Sequence, residues 1–179
     1  MTDTQDYVLA PYVLAPWTVL IDSREQHPFP FIGYRCDANK QYRPLIIPTK
    51  TQGLKTGDYS LEGYEDRIAI ERKSLSDAYS TFCQGRDRFE RELERLHAMP
   101  GFAAVIVEAG WPTILHHPPP HTKFSPKSFY RSVKAWQIRY RGVHWEFWET
   151  RGMAERATLR LLQRYWEDDQ ERKKKEAAA

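Results

Sequence analysis

The sequence predicts an α/β domain with a mixed central β-sheet flanked by α-helices, and three observations carry that reading. Residues 57–73 alternate apolar and polar side chains on both sides of a Gly-containing polar turn, the pattern of a β-hairpin. Residues 17–22 and 102–108 are short apolar runs ending in a carboxylate, as buried strands do. Apolar residues recur at helical spacing over residues 86–98, 126–141 and 153–169. The element order β, β-hairpin, α, α, β, α, β, α suits a sheet with helices packed on it.

A chain of 179 residues with 41% hydrophobic and 13% aromatic content is long enough to bury one core. Residues 1–16 read as an N-terminal extension, 17–170 as the domain and 171–179 as a charged tail that frays. The net charge of only +3 means that any basic surface must be local. Cys36 and Cys83 stand in no metal-binding spacing and read as reduced thiols. No run approaches the length of a membrane span, and the first residues lack a basic-then-apolar signal pattern. The expectation is a soluble, intracellular protein.

The extension repeats Tyr-Val-Leu-Ala-Pro at residues 7–11 and 12–16. It either packs along a sheet edge or is a local duplication without structural consequence, and the second reading is preferred. Asp22 ends the first strand, where it can cap a turn. Residues 43–49 predict a second strand on Leu45, Ile46 and Ile47, placed towards an edge by Pro48. Ser74, with Asp77 three residues on, matches a capping box and starts a helix. A second helix follows Gly85, with Phe89, Leu93 and Leu96 inward. Its charges, Glu92 and Arg95 among them, read mostly as a solvated face. Glu108 reads as a strand-end carboxylate facing water. Residues 111–123 read as a Pro-rich loop, and its His116, His117 and His121 as solvated rather than metal-binding.

Ser125-Pro126 opens a further helix that Gly142 closes. Phe129, Val133, Trp136 and Tyr140 make its apolar stripe. Lys127, Arg131, Lys134 and Arg141 share the opposite face with no acid among them, a candidate phosphate-tracking surface whose plain alternative is a solvated basic face. Residues 143–148 predict the last strand and residues 153–169 the last helix.

The chemistry concentrates in the hairpin. With the turn centred between Tyr64 and Glu65, Tyr59 faces Ile70 and Asp58 faces Glu71. Lys73 shares that face, and Arg72 points away. Carboxylates so opposed lie about 4.5–5.5 Å apart at Cβ and repel. A bound cation reverses the sign, and oxygen-only ligands favour a hard ion, Mg²⁺ or Mn²⁺. Lys73 beside them is expected to stay charged and to orient rather than act as a free-amine base. On pattern alone, an exposed hairpin with ordinary surface charges stands about level with this reading.

Gly57-Asp58, Glu71-Arg72-Lys73 and Asp77 resemble the Gly-Asp…Glu-Arg-Lys-x-x-x-Asp signature of the XPF-type structure-specific endonucleases. Ile21-Asp22-Ser23-Arg24-Glu25 resembles that family's Asp-x-Arg-Glu segment, and Gly85-Arg86 its Gly-Arg after the helix. The resemblance is clear over residues 17–108. It implies a restriction-endonuclease-like core and Mg²⁺- or Mn²⁺-dependent hydrolysis of DNA phosphodiesters at branched or single-/double-strand junctions. Asp58, Glu71 and Lys73 take the catalytic places, assisted by Asp22 and Arg72, and Asp58, Glu71 and Asp22 are the expected metal ligands. Arg24 supports the site and is expected to contact DNA, as is Arg86 through a phosphate. The family's nuclease domains pair through C-terminal elements, so a homodimer or heterodimer is expected, and Trp136, Trp145, Trp148 and Trp166 suit either that interface or the core. Family members acting on junctions carry helix-hairpin-helix modules that this sequence lacks, so substrate choice is not carried over. A non-catalytic DNA-binding or scaffolding subunit is the alternative, and the intact acidic–lysine set favours catalysis over it.

Overall fold

The computed structural model describes residues 12–36, 43–120 and 122–178. In chain order its elements are β1 (Val13–Leu14), β2 (Val19–Asp22), β3 (Leu45–Ile46), β4 (Thr49–Gln52), β5 (Tyr59–Leu61), β6 (Ile68–Lys73), α1 (Leu75–Cys83), α2 (Arg86–His97), β7 (Phe102–Val107), α3 (Trp111–His116), α4 (Pro126–Arg139), β8 (Val143–Phe147) and α5 (Arg151–Ala177). Six strands form the central sheet in the order β4–β2–β5–β6–β7–β8. Its middle, β2–β5–β6, is antiparallel, while β4 joins β2, and β7 and β8 continue from β6, in parallel. The fold is therefore α/β with a mixed sheet.

Period-two patterning places one core on each sheet face. Val19, Ile21, Tyr59, Leu61, Ile68, Ile70, Ala104 and Ile106 pack beneath α5 and the Phe29–Phe31 segment. Ala69, Ala103, Val105 and Val107 face the aromatics of α1, α2 and α4, where Phe82, Phe89, Phe129 and Trp136 interlock at ring-centroid distances of 4.6–5.4 Å. Trp136 lies wholly inside this second core, while Trp145, Trp148 and Trp166 are partly buried against the two cores. Packing within the chain thus accounts for the tryptophans.

The hairpin pairs Tyr59 with Ile70, the register its alternation predicts. Gly57 enters β5 at φ +72°, and a Cβ there would come within 3.0 Å of the Ile70 carbonyl oxygen. Glycine is therefore required where the two strands close on each other.

Several elements depart from expectation. Val13 and Leu14, from the second repeat, pair in parallel with β3 in a separate two-stranded sheet, so this copy has a structural use; residues 1–11 lie outside the described residues. The polar stretch Thr49–Gln52 is the edge strand, which needs no apolar face because it is mostly exposed. Residues 111–116 are helical rather than loop, with Gly110 at the N-cap and Pro112 in the first turn, where its missing N–H costs nothing; His121 lies outside the described residues. α4 ends at Arg139, which leaves Arg141 beyond the helix, its Nε 3.4 Å from the Ile138 carbonyl. α5 runs through the supposed tail to Ala177. Strong helix formers fill that segment, and Asp169 binds Lys173 and Arg172 at i+4 and i+3. No helix among the described residues is long and apolar enough to cross a membrane.

Candidate active site

Asp58, Glu71 and Lys73 meet at one wall of a cleft of about 460 Å³. The ends of β2, β5 and β6 supply that wall, and Asp77, Thr81, Gly85, Arg88 and Glu92 from the α1–α2 pair supply the other. Backbone pairing fixes the acids. The Asp58 N–H donates to the Ile70 carbonyl at 2.8 Å, and the Arg72 N–H donates to Asp58 Oδ2 at 2.7 Å. Glu71, on the next residue of β6, is buried. Lys73 Nζ donates to Glu71 Oε1 at 2.5 Å and lies 5.3 Å from the centre of the Phe89 ring.

The electrostatics are those of a site short of positive charge. Burial, followed by the Glu71 carboxylate, pushes Asp58 well above the usual carboxylate range. Burial likewise raises Glu71, against the pull of Lys73. For Lys73 burial works against the charge, but the Glu71 carboxylate outweighs it and the ammonium is held above its ordinary value. With both acids ionised, one ammonium leaves a net negative charge among the three. An oxygen-donor pair with room for water or phosphate suits a hard divalent cation, since Mg²⁺ commonly takes only one or two carboxylates from protein. Asp58 and Glu71 are the groups that fit. Among the described residues no cluster of three or more His, Cys, Asp or Glu side chains could hold a metal by itself.

The other expected site residues fall into different places. Asp22 does not line the cleft. Its carboxylate accepts from the Arg24 backbone N–H at 2.9 Å and from Arg24 Nε at 3.0 and 3.1 Å, with Nη2 also bound. Asp22, an expected metal ligand, is here engaged with Arg24, whose Nη2 also reaches the Leu54 carbonyl at 2.8 Å. Arg24 itself is a cleft residue. Arg72 clamps acids on its own side of the sheet: Nε donates to Glu108 at 2.7 Å and Nη1 to Glu25 at 3.1 Å, with the guanidinium 5.6 Å from the centre of the Phe29 ring. Arg151, near the start of α5, takes the same Glu108 oxygen at 2.7 Å and the His27 and Pro28 carbonyls. Glu108 is thus held in an ion network, mostly shielded rather than facing water, because β7 ends beside β6.

Ser74 is the N-cap of α1. Its Oγ accepts from the Asp77 N–H at 3.1 Å and donates to Asp77 Oδ2 at 2.6 Å, so the two side chains close on each other at the cleft rim. Arg86 does not line the cleft. Its guanidinium lies 4.6 Å from the Trp136 ring centre, donates to Ser132 Oγ at 2.8 Å and pairs with Glu90 at 3.1 Å, and so fastens α2 to α4. Lys127, Arg131 and Lys134 are exposed on α4, away from the cleft lining.

Two cleft residues were not singled out from the sequence. Arg88 is exposed on the α2 wall. Glu92 accepts from the Gly57 N–H at 3.1 Å, so a residue read as part of a solvated ion pair holds the turn that presents Asp58. The available signal was spacing: Gly85, Arg88 and Glu92 share one helical face, opposite to the Asp87–Arg91 pair.

The ERCC4 domain matches residues 21–158. Among solved structures the chain is similar to XPF from Aeropyrum pernix, at 22% identity and TM-score 0.56 over 83% of this chain and 59% of that one. It is also similar to XPF from Aeropyrum pernix in complex with DNA, at 22% identity and TM-score 0.57 over 86% and 66% of the two chains. The chain spans about three-fifths to two-thirds of the length of these structures. No curated protein matches it. The match over most of the sequence establishes that the chain belongs to the ERCC4 domain family, and it shares the fold of XPF, with Asp58, Glu71 and Lys73 set in one cleft.

Proposed function

We propose that the protein is a divalent-metal-dependent DNA endonuclease that hydrolyses phosphodiester bonds, with branched or single-/double-strand junction DNA as its substrate class. The observation that carries the reading is the mutually repelling pair of half-buried Asp58 and buried Glu71, joined by Lys73 and open to a cleft that Arg24 and Arg88 border. A structural role does not account for the pair, because two adjacent carboxylates oppose folding unless something positive enters.

Asp58 and Glu71 would hold Mg²⁺ or Mn²⁺, which when bound supplies Lewis acidity and an activated water. Lys73, kept protonated by Glu71, offers a fixed positive charge to a non-bridging phosphate oxygen. Arg24, held by Asp22 and Leu54, and Arg88 can seat the flanking phosphates. Glu92, through Gly57, and Arg72, through its backbone N–H, keep Asp58 in place. Pairing of two chains through C-terminal elements belongs to the same proposal and is read from the mass of the protein in solution. The deciding experiment is cleavage of flap, fork, four-way-junction and linear duplex DNAs with and without Mg²⁺. Metal-dependent strand scission that Glu71→Gln abolishes is the expected result. No scission of any substrate by the well-folded wild type would overturn it in favour of a non-catalytic DNA-binding role.

A further inference from the structure

The outer face of α4 carries unpaired charge and aromatic surface together. Lys127, Tyr130, Arg131 and Lys134 stand at i, i+3, i+4 and i+7, all exposed, and so form one stripe. α3 and α4 contain no acidic residue. Arg139, farther along α4, is by contrast matched by Glu90, and Arg164 on α5 by Asp168. Lys127 and Arg131 have no ion pair among the described residues. Lys134 donates only to the neutral amide of Gln137, at 3.0 Å.

The aromatic part is built as a platform. Tyr130 is 44% exposed, its ring centre is 5.4 Å from that of Trp111, and Lys134 Nζ lies 5.5 and 5.8 Å from the two rings. Trp111 is backed in turn by Phe147 at 4.3 Å. A solvated basic face needs no such platform. A duplex presents mainly phosphates to a helix face, with its bases stacked inside. An unpaired strand presents phosphates and free base faces at once, and basic residues set among aromatics are what bind it.

Phe147, which backs the platform, connects it to the cleft through the sheet. Lys73, Val107 and Phe147 are in register across three parallel strands, so Phe147 lies about 10 Å from Lys73 along the sheet. We propose that the Trp111–Tyr130 face of α3 and α4 binds an unpaired DNA strand, with a base stacked on Tyr130 and phosphates against Lys127 and Arg131. The proposal rests on the DNA-nuclease reading and adds to it a subsite that selects single-stranded character.

The test is equilibrium binding of the full chain, in EDTA to prevent scission, to a labelled oligothymidylate and to a labelled hairpin duplex with the same number of phosphates. Tyr130→Ala is expected to weaken oligothymidylate binding by about 5- to 150-fold, the range that base–aromatic stacking spans, and duplex binding by less than about twofold. Tyr130→Phe is expected to restore the oligothymidylate affinity. Lys127→Ala with Arg131→Ala should lower the slope of log K against log salt by about 0.7 for each phosphate no longer neutralised. Wild-type oligothymidylate affinity in Tyr130→Ala, or an equal loss on the duplex, would overturn the proposal and leave the face to solvent or to a protein partner. That outcome is separable from failure of the nuclease reading, which the Glu71→Gln cleavage assay tests at another place in the molecule.

Discussion

Lys73 sets its ammonium 2.5 Å from Glu71 Oε1, two residues back along the same strand and on the same sheet face. The Lys73 charge thereby offsets buried Glu71 and leaves half-buried Asp58 without a counter-charge of its own. Lys73→Ala is expected to abolish metal-dependent cleavage, because the fixed positive charge is removed. It should also lower thermal stability at neutral pH, since both acids would then lack a counter-charge. Cleavage of a fork substrate and the thermal midpoint, measured on one preparation, check both halves. Near-normal turnover would remove Lys73 from the site.

Asp58→Asn should act on stability in the opposite sense. The Asp58 carboxyl is held above its usual range in the folded chain by burial and by Glu71. A raised folded value means that the native state binds the proton more tightly than the unfolded chain does. Stability is then greatest below the unfolded carboxyl value and is lost as pH rises through the folded one. Asparagine removes that loss, and its Oδ1 can still accept from the Arg72 N–H. In EDTA at neutral pH the variant should be more stable by on the order of 1 kcal/mol, about 2–4 °C for a chain of this size. Mn²⁺ should then raise the midpoint of the wild type and leave that of the variant unmoved. A less stable Asp58→Asn protein would mean that the pair is not strained.

Asp169 shows the reverse linkage. Lys173, Tyr64 and Arg172 hold its carboxylate well below the usual range, and it ties α5 to the hairpin turn through a 2.6 Å bond from the Tyr64 hydroxyl. A depressed folded value contributes stability above the unfolded value, lost as pH falls towards the folded one. Asp169→Asn should therefore cost on the order of 1 kcal/mol at pH 7, reduced by the exposure of its cationic partners. The difference from wild type should shrink below about pH 4, where the unfolded carboxyl takes up its proton. Denaturant midpoints at neutral and acid pH check this.

The parts legible from sequence were those written in a strong period. The hairpin alternates strictly, so its register and the meeting of Asp58, Glu71 and Lys73 followed from counting residues. β4 was not legible, because an exposed edge strand of Thr, Lys, Thr and Gln carries no apolar signal. The last turns of α5 were missed for a related reason: they are held by charge pairs and by Tyr64, which is distant in sequence. Glu92 and Arg95 do pair at i+3, as a solvated face would, yet the same Glu92 also binds Gly57 across 35 residues. Helical spacing reports neighbours on the helix and says nothing of what lies opposite.

Arg86 and Arg88 put that lesson to a direct test. They are two residues apart at the start of α2, and the Gly-Arg resemblance pointed to Arg86 as the phosphate contact. Arg86 instead lies over the Trp136 ring and is bonded to Ser132 and Glu90, all within the α2–α4 packing. Arg88 borders the cleft and makes no ion pair among the described residues. Arg86→Ala should therefore destabilise the protein by about 1–2 kcal/mol, through removal of a cation–π interaction and a charged hydrogen bond. Where the variant stays folded, its cleavage rate should remain within a few-fold of wild type. Arg88→Ala should leave the thermal midpoint unchanged, as exposed substitutions usually do. It should weaken DNA binding and reduce the salt dependence of log K by about one phosphate's worth. Thermal midpoints, salt-dependent binding and cleavage rates for the two variants in parallel separate a packing arginine from a phosphate-binding one. If instead Arg86→Ala is fully stable but inactive, the guanidinium must leave Trp136 to meet the substrate, and the α2–α4 contact is a resting arrangement rather than a fixed one.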